Sequence, residues 1–262
     1  MKTQTIILFL LVTILAIVPT LPLKIPKTPA LQTSQCISSI DSNPHNRIYV
    51  DYLLPLPPET SAADIDPWPG GLNQMYDPAS STVKQILNRL TPNPGKCTEQ
   101  IISKEDCCSF LVQEDLDSSK NDIACVIFPS VDNFNSLQEI DNLVGDRKLL
   151  LFNRQFKRPQ DFGFDKIKAE KEIFDKYKWG YALQEFAVRG EDCKLIFENG
   201  TWNAVCLPNA ESDEEVVLFD EVDERPEYVN LEIKINELIP KPLWMRQMDR
   251  AENEGFKFNR KK

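Results

Sequence analysis

The chain has 262 residues, 42% hydrophobic and 27% charged, a globular composition that excludes a wholly disordered or fibrous protein. Its net charge is −10 and every acid lies beyond residue 40, so the body is a poor partner for nucleic acid, whose phosphates would repel it. A single histidine, His45, leaves almost no room for histidine-based chemistry.

Met1 and Lys2 precede an apolar run over residues 6–18. That run is shorter than the about 20 residues a membrane span requires, so residues 1–22 are expected to be a signal peptide, with a short anchor as the competing reading. Residues 23–45 carry Lys24, Lys27 and several Ser and Thr, with no acid before Asp41. Basic, hydroxyl-bearing and acid-poor is transit-peptide chemistry. Together the two segments resemble the two-part presequence of algae with secondary plastids, with Leu21 or Leu23 where Phe usually follows the signal cleavage point. Plain secretion is the alternative. No other run is long and apolar enough to span a bilayer, so no span is expected in the mature form.

An α/β domain is expected over residues 46–208. Residues 48–54 are β-branched, aromatic and aliphatic and read as a strand that Pro55, Pro57 and Pro58 end. A Pro/Gly loop follows. Asp77 as N-cap and Pro78 at the first position then predict a helix with Val83, Ile86, Leu87 and Leu90 on one face. Residues 96–122 stay open between helix and strand. The continuous apolar run over residues 123–128 predicts a strand buried on both faces. Ser136 and Glu139 suggest a capping box for a helix burying Leu137, Ile140, Leu143 and Val144, with Gly145 at its end. Residues 148–152 are the next strand. Strand, helix and strand make a βαβ unit, so the two strands should be parallel. Asp165 is expected to cap a further helix with Ile167, Ile173, Phe174 and Tyr177 inward.

A meander follows. Asn199-Gly200 is a strong hairpin signal, and a two-residue turn there sets Phe197 against Trp202, Leu195 against Ala204 and Cys193 against Cys206. Residues 209–262 are expected to be an acidic linker, densest in acids over residues 211–224, and a C-terminal extension. Within it Leu231-Glu232-Ile233-Lys234-Ile235 alternates like an edge strand, Trp244, Met245 and Met248 suit a short amphipathic turn, and the tail from Gly255 carries only basic charges. The predicted fold class is α/β: a three-layer mixed sheet with a parallel βαβ part followed by an antiparallel C-terminal meander.

No dinucleotide-binding glycine motif, phosphate loop, zinc motif or paired-cysteine motif occurs, so no catalytic residue, cofactor or metal is predicted. Asp161-Phe162-Gly163 spells a kinase triplet without its companions and reads as a turn. Cys193 and Cys206 are either packed free thiols or a disulfide-forming redox pair. Asn199-Gly200-Thr201 is a glycosylation sequon as well as a turn. The most site-like stretch holds Trp68, Gly70, Gly71 and Gln74 just ahead of the expected helix. Asp132, Asn153 and Gln155 follow strand ends and could converge with that loop on a ligand. Trp68 plugging the sheet edge of a rigid loop is the plainer alternative.

Five segments then carry a resemblance. Residues 47–55 (Arg-Ile-Tyr-Val-Asp-Tyr-Leu-Leu-Pro), Asp66-Pro67-Trp68-Pro69-Gly70-Gly71 with Gln74, Val126-Ile127-Phe128-Pro129-Ser130, Leu150-Leu151-Phe152-Asn153-Arg154-Gln155-Phe156 and Tyr181-Ala182-Leu183-Gln184-Glu185-Phe186 resemble the plastid and cyanobacterial domain of unknown function nineteen ninety-five, over about residues 47–208. Phe156 stands where Trp is expected. That family includes the low photosystem II accumulation protein and the extra domain of a chloroplast adenylate kinase, and it supplies no catalytic residues to carry over.

The resemblance implies a plastid accessory protein that assists photosystem or thylakoid protein assembly by binding a protein partner, through the acidic segment or the basic tail. A small-molecule or nucleotide-binding enzyme using the loop at residues 68–74 is the alternative, and a secreted glycoprotein a weaker one.

Overall fold

The structure, a computed structural model, describes residues 25–56, 68–208 and 215–255. Helix α1 (Pro29–Asp41) begins where Thr28 Oγ1 accepts from Leu31 N at 3.2 Å and Pro29 takes the first helical position. Then follow β1 (Arg47–Asp51), α2 (Leu72–Leu90), β2 (Pro94–Ser103), β3 (Cys108–Asp115), β4 (Ile123–Ile127), α3 (Phe134–Val144) and β5 (Lys148–Phe152). Short α4 (Lys166–Ala169) runs into a single π turn, Glu170–Phe174. The chain continues as β6 (Lys178–Val188), β7 (Glu191–Glu198), β8 (Thr201–Leu207), β9 (Val216–Val222), α5 (Tyr228–Leu238) and α6 (Leu243–Asn253).

The nine strands form one sheet in the order β2-β3-β4-β5-β1-β6-β7-β8-β9. The centre is parallel: β4 pairs with β5, β5 with β1 and β1 with β6. Antiparallel strands flank it on both sides, the β2–β3 hairpin at one edge and the β6–β9 meander at the other. Alternation along β1 sorts the layers. Ile48 and Val50 pack with Cys36 and Ile40 of α1 and Val83, Ile86 and Leu87 of α2. Tyr49 faces the other way, with Phe134 and Leu137 of α3 and Ile173 beyond α4. On that second face, further along the sheet, Leu231 and Ile235 of α5 cover Cys193, Leu195, Phe197 and Trp202. Trp179 packs against both cores of the second face. The molecule is thus α/β with three layers, as its pattern of strands and helices requires.

The β7–β8 hairpin has the expected register, Phe197 opposite Trp202, Leu195 opposite Ala204 and Cys193 opposite Cys206. Asn199 and Gly200 both take positive φ, as a two-residue turn of this kind demands. The β4–α3–β5 unit is parallel, with all five β4 residues buried.

Other expectations are corrected. Helix α2 starts at Leu72, with Gly71 (φ 59) as its N-cap and Pro78 inside it, not at Asp77. Leu72, Met75 and Tyr76 pack on the core and hold that extra turn despite the proline. The capping box ahead of α3 is Ser130 with Asn133, not Ser136 with Glu139. Leu143 and Ile167 point outward, 67% and 74% exposed. The 231–235 stretch is helix. Leu231, Ile235 and Ile239 sit one turn apart and are buried, while Ile233 is exposed, so i,i+4 spacing prevails over alternation. The acidic segment contains β9, which extends the sheet at β8. The folded body therefore reaches past both expected limits, 46 and 208: α1 lies in the segment read as transit-like, and β9, α5 and α6 in the extension. Among the described residues no helix is long and apolar enough to cross a membrane.

Candidate functional site

In an open α/β sheet, a ligand crevice forms beyond the carboxyl ends of neighbouring parallel strands whose onward connections leave on opposite faces. Here β1 leads toward α2 on one face, and β5 leads toward α4 on the other. Beyond the ends of β5 and β1, alongside β6 where it runs on past them, lies a hollow of about 560 Å³, within the usual range for small-molecule sites. Its polar lining includes Asp51, Asn153, Arg154, Gln155, Gln184 and Arg225, with Lys157 and Glu185 beside them, and its apolar lining includes Trp179, Phe156 and Phe186.

Asp51 ends β1. It accepts a hydrogen bond from Gln184 Nε2 of β6. Gln184 Oε1 in turn accepts from Arg225 Nη2 at 2.8 Å, from the segment between β9 and α5. The amide thus bridges a carboxylate and a guanidinium. Burial pushes the Asp51 carboxyl above the ordinary aspartate range, and the nearby charges of Arg154, Arg225 and Lys157 offset only part of that. Burial likewise pulls Arg225 down.

Arg154 follows β5 and is walled by rings. Its guanidinium carbon lies 4.2 Å from the Tyr49 ring centroid and 4.9 Å from that of Trp179, with Phe156 at 5.7 Å and Phe174 at 6.0 Å. Nη1 donates to Phe156 O at 3.1 Å. The buried Nε has no acceptor among the described residues. A guanidinium carries five donors, so most of the capacity of Arg154 is open to a guest.

Of the residues singled out in the sequence, Asn153 and Gln155 do line this hollow. Asn153 also ties two strand ends together, accepting from Tyr52 N at 2.6 Å and donating to Tyr52 O at 2.9 Å. Trp68, Gly70, Gly71, Gln74 and Asp132 are elsewhere. Trp68 packs on the core of the opposite face, Gly70 N donates to Gln74 Oε1 at 3.0 Å, and Asp132 is exposed beside α3. The expected convergence of the loop with the strand ends is therefore not formed by these residues.

The residues that sequence reasoning missed are Asp51, Arg154, Gln184 and Arg225. Three of them stand inside segments that carry the family resemblance, which was the available signal. Arg225 sits in the stretch that composition marks only as acidic.

Cys193 and Cys206 are both buried and, like the other five cysteines, free. The Cys206 thiol bonds to Cys193, which holds Cys193 below the ordinary thiol range and pushes Cys206 up. Asn199 is exposed at the hairpin tip, its N–H donating to Ser39 Oγ at 3.0 Å. Among the described residues no group of three or more His, Cys, Asp or Glu is arranged to hold a metal ion.

Fold and crevice define an open-sheet α/β protein with a polar, arginine-bearing hollow at its parallel strand ends. The family model described as a domain of unknown function, DUF1995, matches residues 28–233, and the chain belongs to that family. The match takes in α1, β9 and the first part of α5, in agreement with the limits of the folded body. No curated protein and no solved structure matches the chain.

Proposed function

We propose that this protein binds a small molecule in the crevice beyond β5 and β1, alongside β6, not along residues 68–74. One observation carries the reading: Arg154 lines a hollow of about 560 Å³, its guanidinium lying over the neighbouring Tyr49 and Trp179 rings, and Nη1 to Phe156 O is its one hydrogen bond among the described residues. A guanidinium has five donors, and those left unmatched beside a void are open to a guest or water. Trp179 on the wall gives the binding event its own reporter. A panel of ring-sized organic probes of every charge class, followed by tryptophan fluorescence in the native chain and in Trp179→Phe, tests the reading. Quenching that disappears in Trp179→Phe is the expected result. A panel that leaves the fluorescence unmoved defeats it.

A second reading keeps the accessory role in the plastid, by contact with a protein partner. It draws support from the family, from the leader-like pattern ahead of residue 25, and from apolar side chains exposed on α5 and α6, among them Val229, Ile233, Leu238 and Trp244. Loss of the gene with photosystem levels unchanged would remove its content.

A further inference from the structure

We propose that the guest of this crevice is a small dianion with an apolar or aromatic body, its charge carried on one phosphate or on two carboxylates and held between Arg154 and Arg225. The inference rests on the crevice being a binding site and names what that site selects.

The charges facing the hollow come from four elements. Arg154 and Lys157 follow β5, and Arg225 follows β9. Against these three cations stand Asp51 of β1 and Glu185 of β6. Glu185 is already paired with Lys194 of β7. Glu227, at the N-cap of α5, acts on Arg225 without lining the hollow. Tyr49, under Arg154, stays neutral because burial raises its hydroxyl well above the usual range. With Asp51 ionised the lining carries one net positive charge, three cations against two carboxylates, and with Asp51 protonated it carries two, in a protein whose net charge is −10. A monoanion leaves one of the two guanidiniums unmet; a dianion meets both, and a proton drawn onto Asp51 then balances the hollow.

Geometry points the same way. Arg154 lies over Tyr49 on the side of the α3–α4 core, and Arg225 lies 5.8 Å from the Trp202 ring centroid on the side of the α5 core. Trp179 sits between, its ring 5.2 Å from that of Trp202 and nearly perpendicular to it. The arginines thus stand on two walls with aromatic floor between them. Neither takes the hydrogen bond that Asp51 accepts, which comes from Gln184. Both keep donors for a guest, and guanidinium forks suit phosphate and carboxylate oxygens. Trp179, Phe156 and Phe186 provide apolar surface for the rest of the molecule.

Proton linkage follows. Two added negative charges beside half-buried Asp51 favour its protonated form, so binding draws a proton onto Asp51 and tightens as pH falls.

The test uses the native chain with phenyl phosphate, phthalate and benzene-1,3-disulfonate as dianions, benzoate as monoanion and benzyl alcohol as neutral control. Melting temperature and tryptophan fluorescence are read together. The dianions should bind at least about tenfold tighter than benzoate, and Arg154→Gln or Arg225→Gln should each remove about tenfold or more of that. Arg225 is at the rim, so its variant should melt like the native chain without ligand and isolates recognition from folding. A preference for phenyl phosphate over phthalate identifies a phosphate ester as the natural chemistry, and the reverse a dicarboxylate. The disulfonate keeps its charge at every working pH, so its affinity should rise as pH falls in the native chain and stay flat in Asp51→Asn. Benzoate or benzyl alcohol binding as well as the dianions would overturn the charge inference and leave the pocket standing. No response to any probe would overturn both.

Discussion

The loop at residues 68–74 and the crevice beyond β5 and β1 hold similar materials, an aromatic ring and amide or charged groups near a chain turn. The loop closes on itself. Gly71 N donates to Trp68 O at 2.8 Å, Gln74 N to Gly71 O at 3.1 Å, and the Gln74 side chain fills the space against Gly70. The crevice stays open. Its Gln184 bridge ties Asp51 to Arg225, but among the described residues Arg154 makes one hydrogen bond, from Nη1 to Phe156 O. Glycine and tryptophan in one short stretch mark a rigid cap as readily as a site. What distinguishes a site is unmet hydrogen-bonding capacity beside a void.

The hardest way to break this comparison is to remove what supports the crevice. Asn43 Nδ2, just past α1, donates to Trp179 O at 2.8 Å, and Ser39 Oγ of α1 donates to Gly180 O. Gly180 has no Cβ because one would collide with Ile48 of β1. A chain beginning at residue 46 should lose its cooperative melt by circular dichroism, whereas one beginning at residue 25 should keep it. An equally stable chain from residue 46 would show that α1 is dispensable.

Next comes Trp179→Ala. Removing a large aromatic side chain shared by two cores should cost about 3 kcal/mol in urea unfolding and abolish probe binding. A smaller effect follows from Gln184→Leu, which strips half-buried Asp51 of its donor and should cost about 1–3 kcal/mol. The sign of its pH dependence is fixed. The folded Asp51 carboxyl titrates above its unfolded value, near 3.9, so its favourable contribution is complete below that value and disappears as pH rises through the folded one. The Gln184→Leu penalty should therefore grow with pH, and Asp51→Asn should flatten the profile. The smallest effect is expected from Gln74→Ala, about 0.5–1 kcal/mol of stability and no change in phenyl phosphate affinity. Weakened affinity in that variant would merge the two regions into one site.

The central fold was legible wherever local chemistry and pattern agreed. Asn199-Gly200 set the β7–β8 register, and the apolar run of β4, the helix after it and β5 declared a parallel unit. Legibility failed where one pattern fits two structures. Leu231, Ile233 and Ile235 alternate, yet only Leu231 and Ile235 face the core. The crevice was less legible still, because Asp51, Arg154, Gln184 and Arg225 are separated in the chain by whole layers of the fold. Asp51 and Gln184 meet only because β1 and β6 are neighbours in the sheet, an order that periodicity does not encode.

That strand order also sets a clock. Among the described residues β1 is the earliest strand, yet Val50 finds its sheet partners only in Phe152 and Tyr181. At translation rates of about 5–20 residues per second, the about 130 residues between Val50 and Tyr181 take on the order of ten seconds to appear. Until β5 and then β6 appear, Ile48, Tyr49 and Val50 lack one or both neighbours, and an apolar strand with an open edge is the kind of surface that chaperones cover and that aggregates otherwise. A pulse of synthesis halted before residue 178 should therefore yield a chain that holdases retain, and the same chain extended through residue 207 should be released.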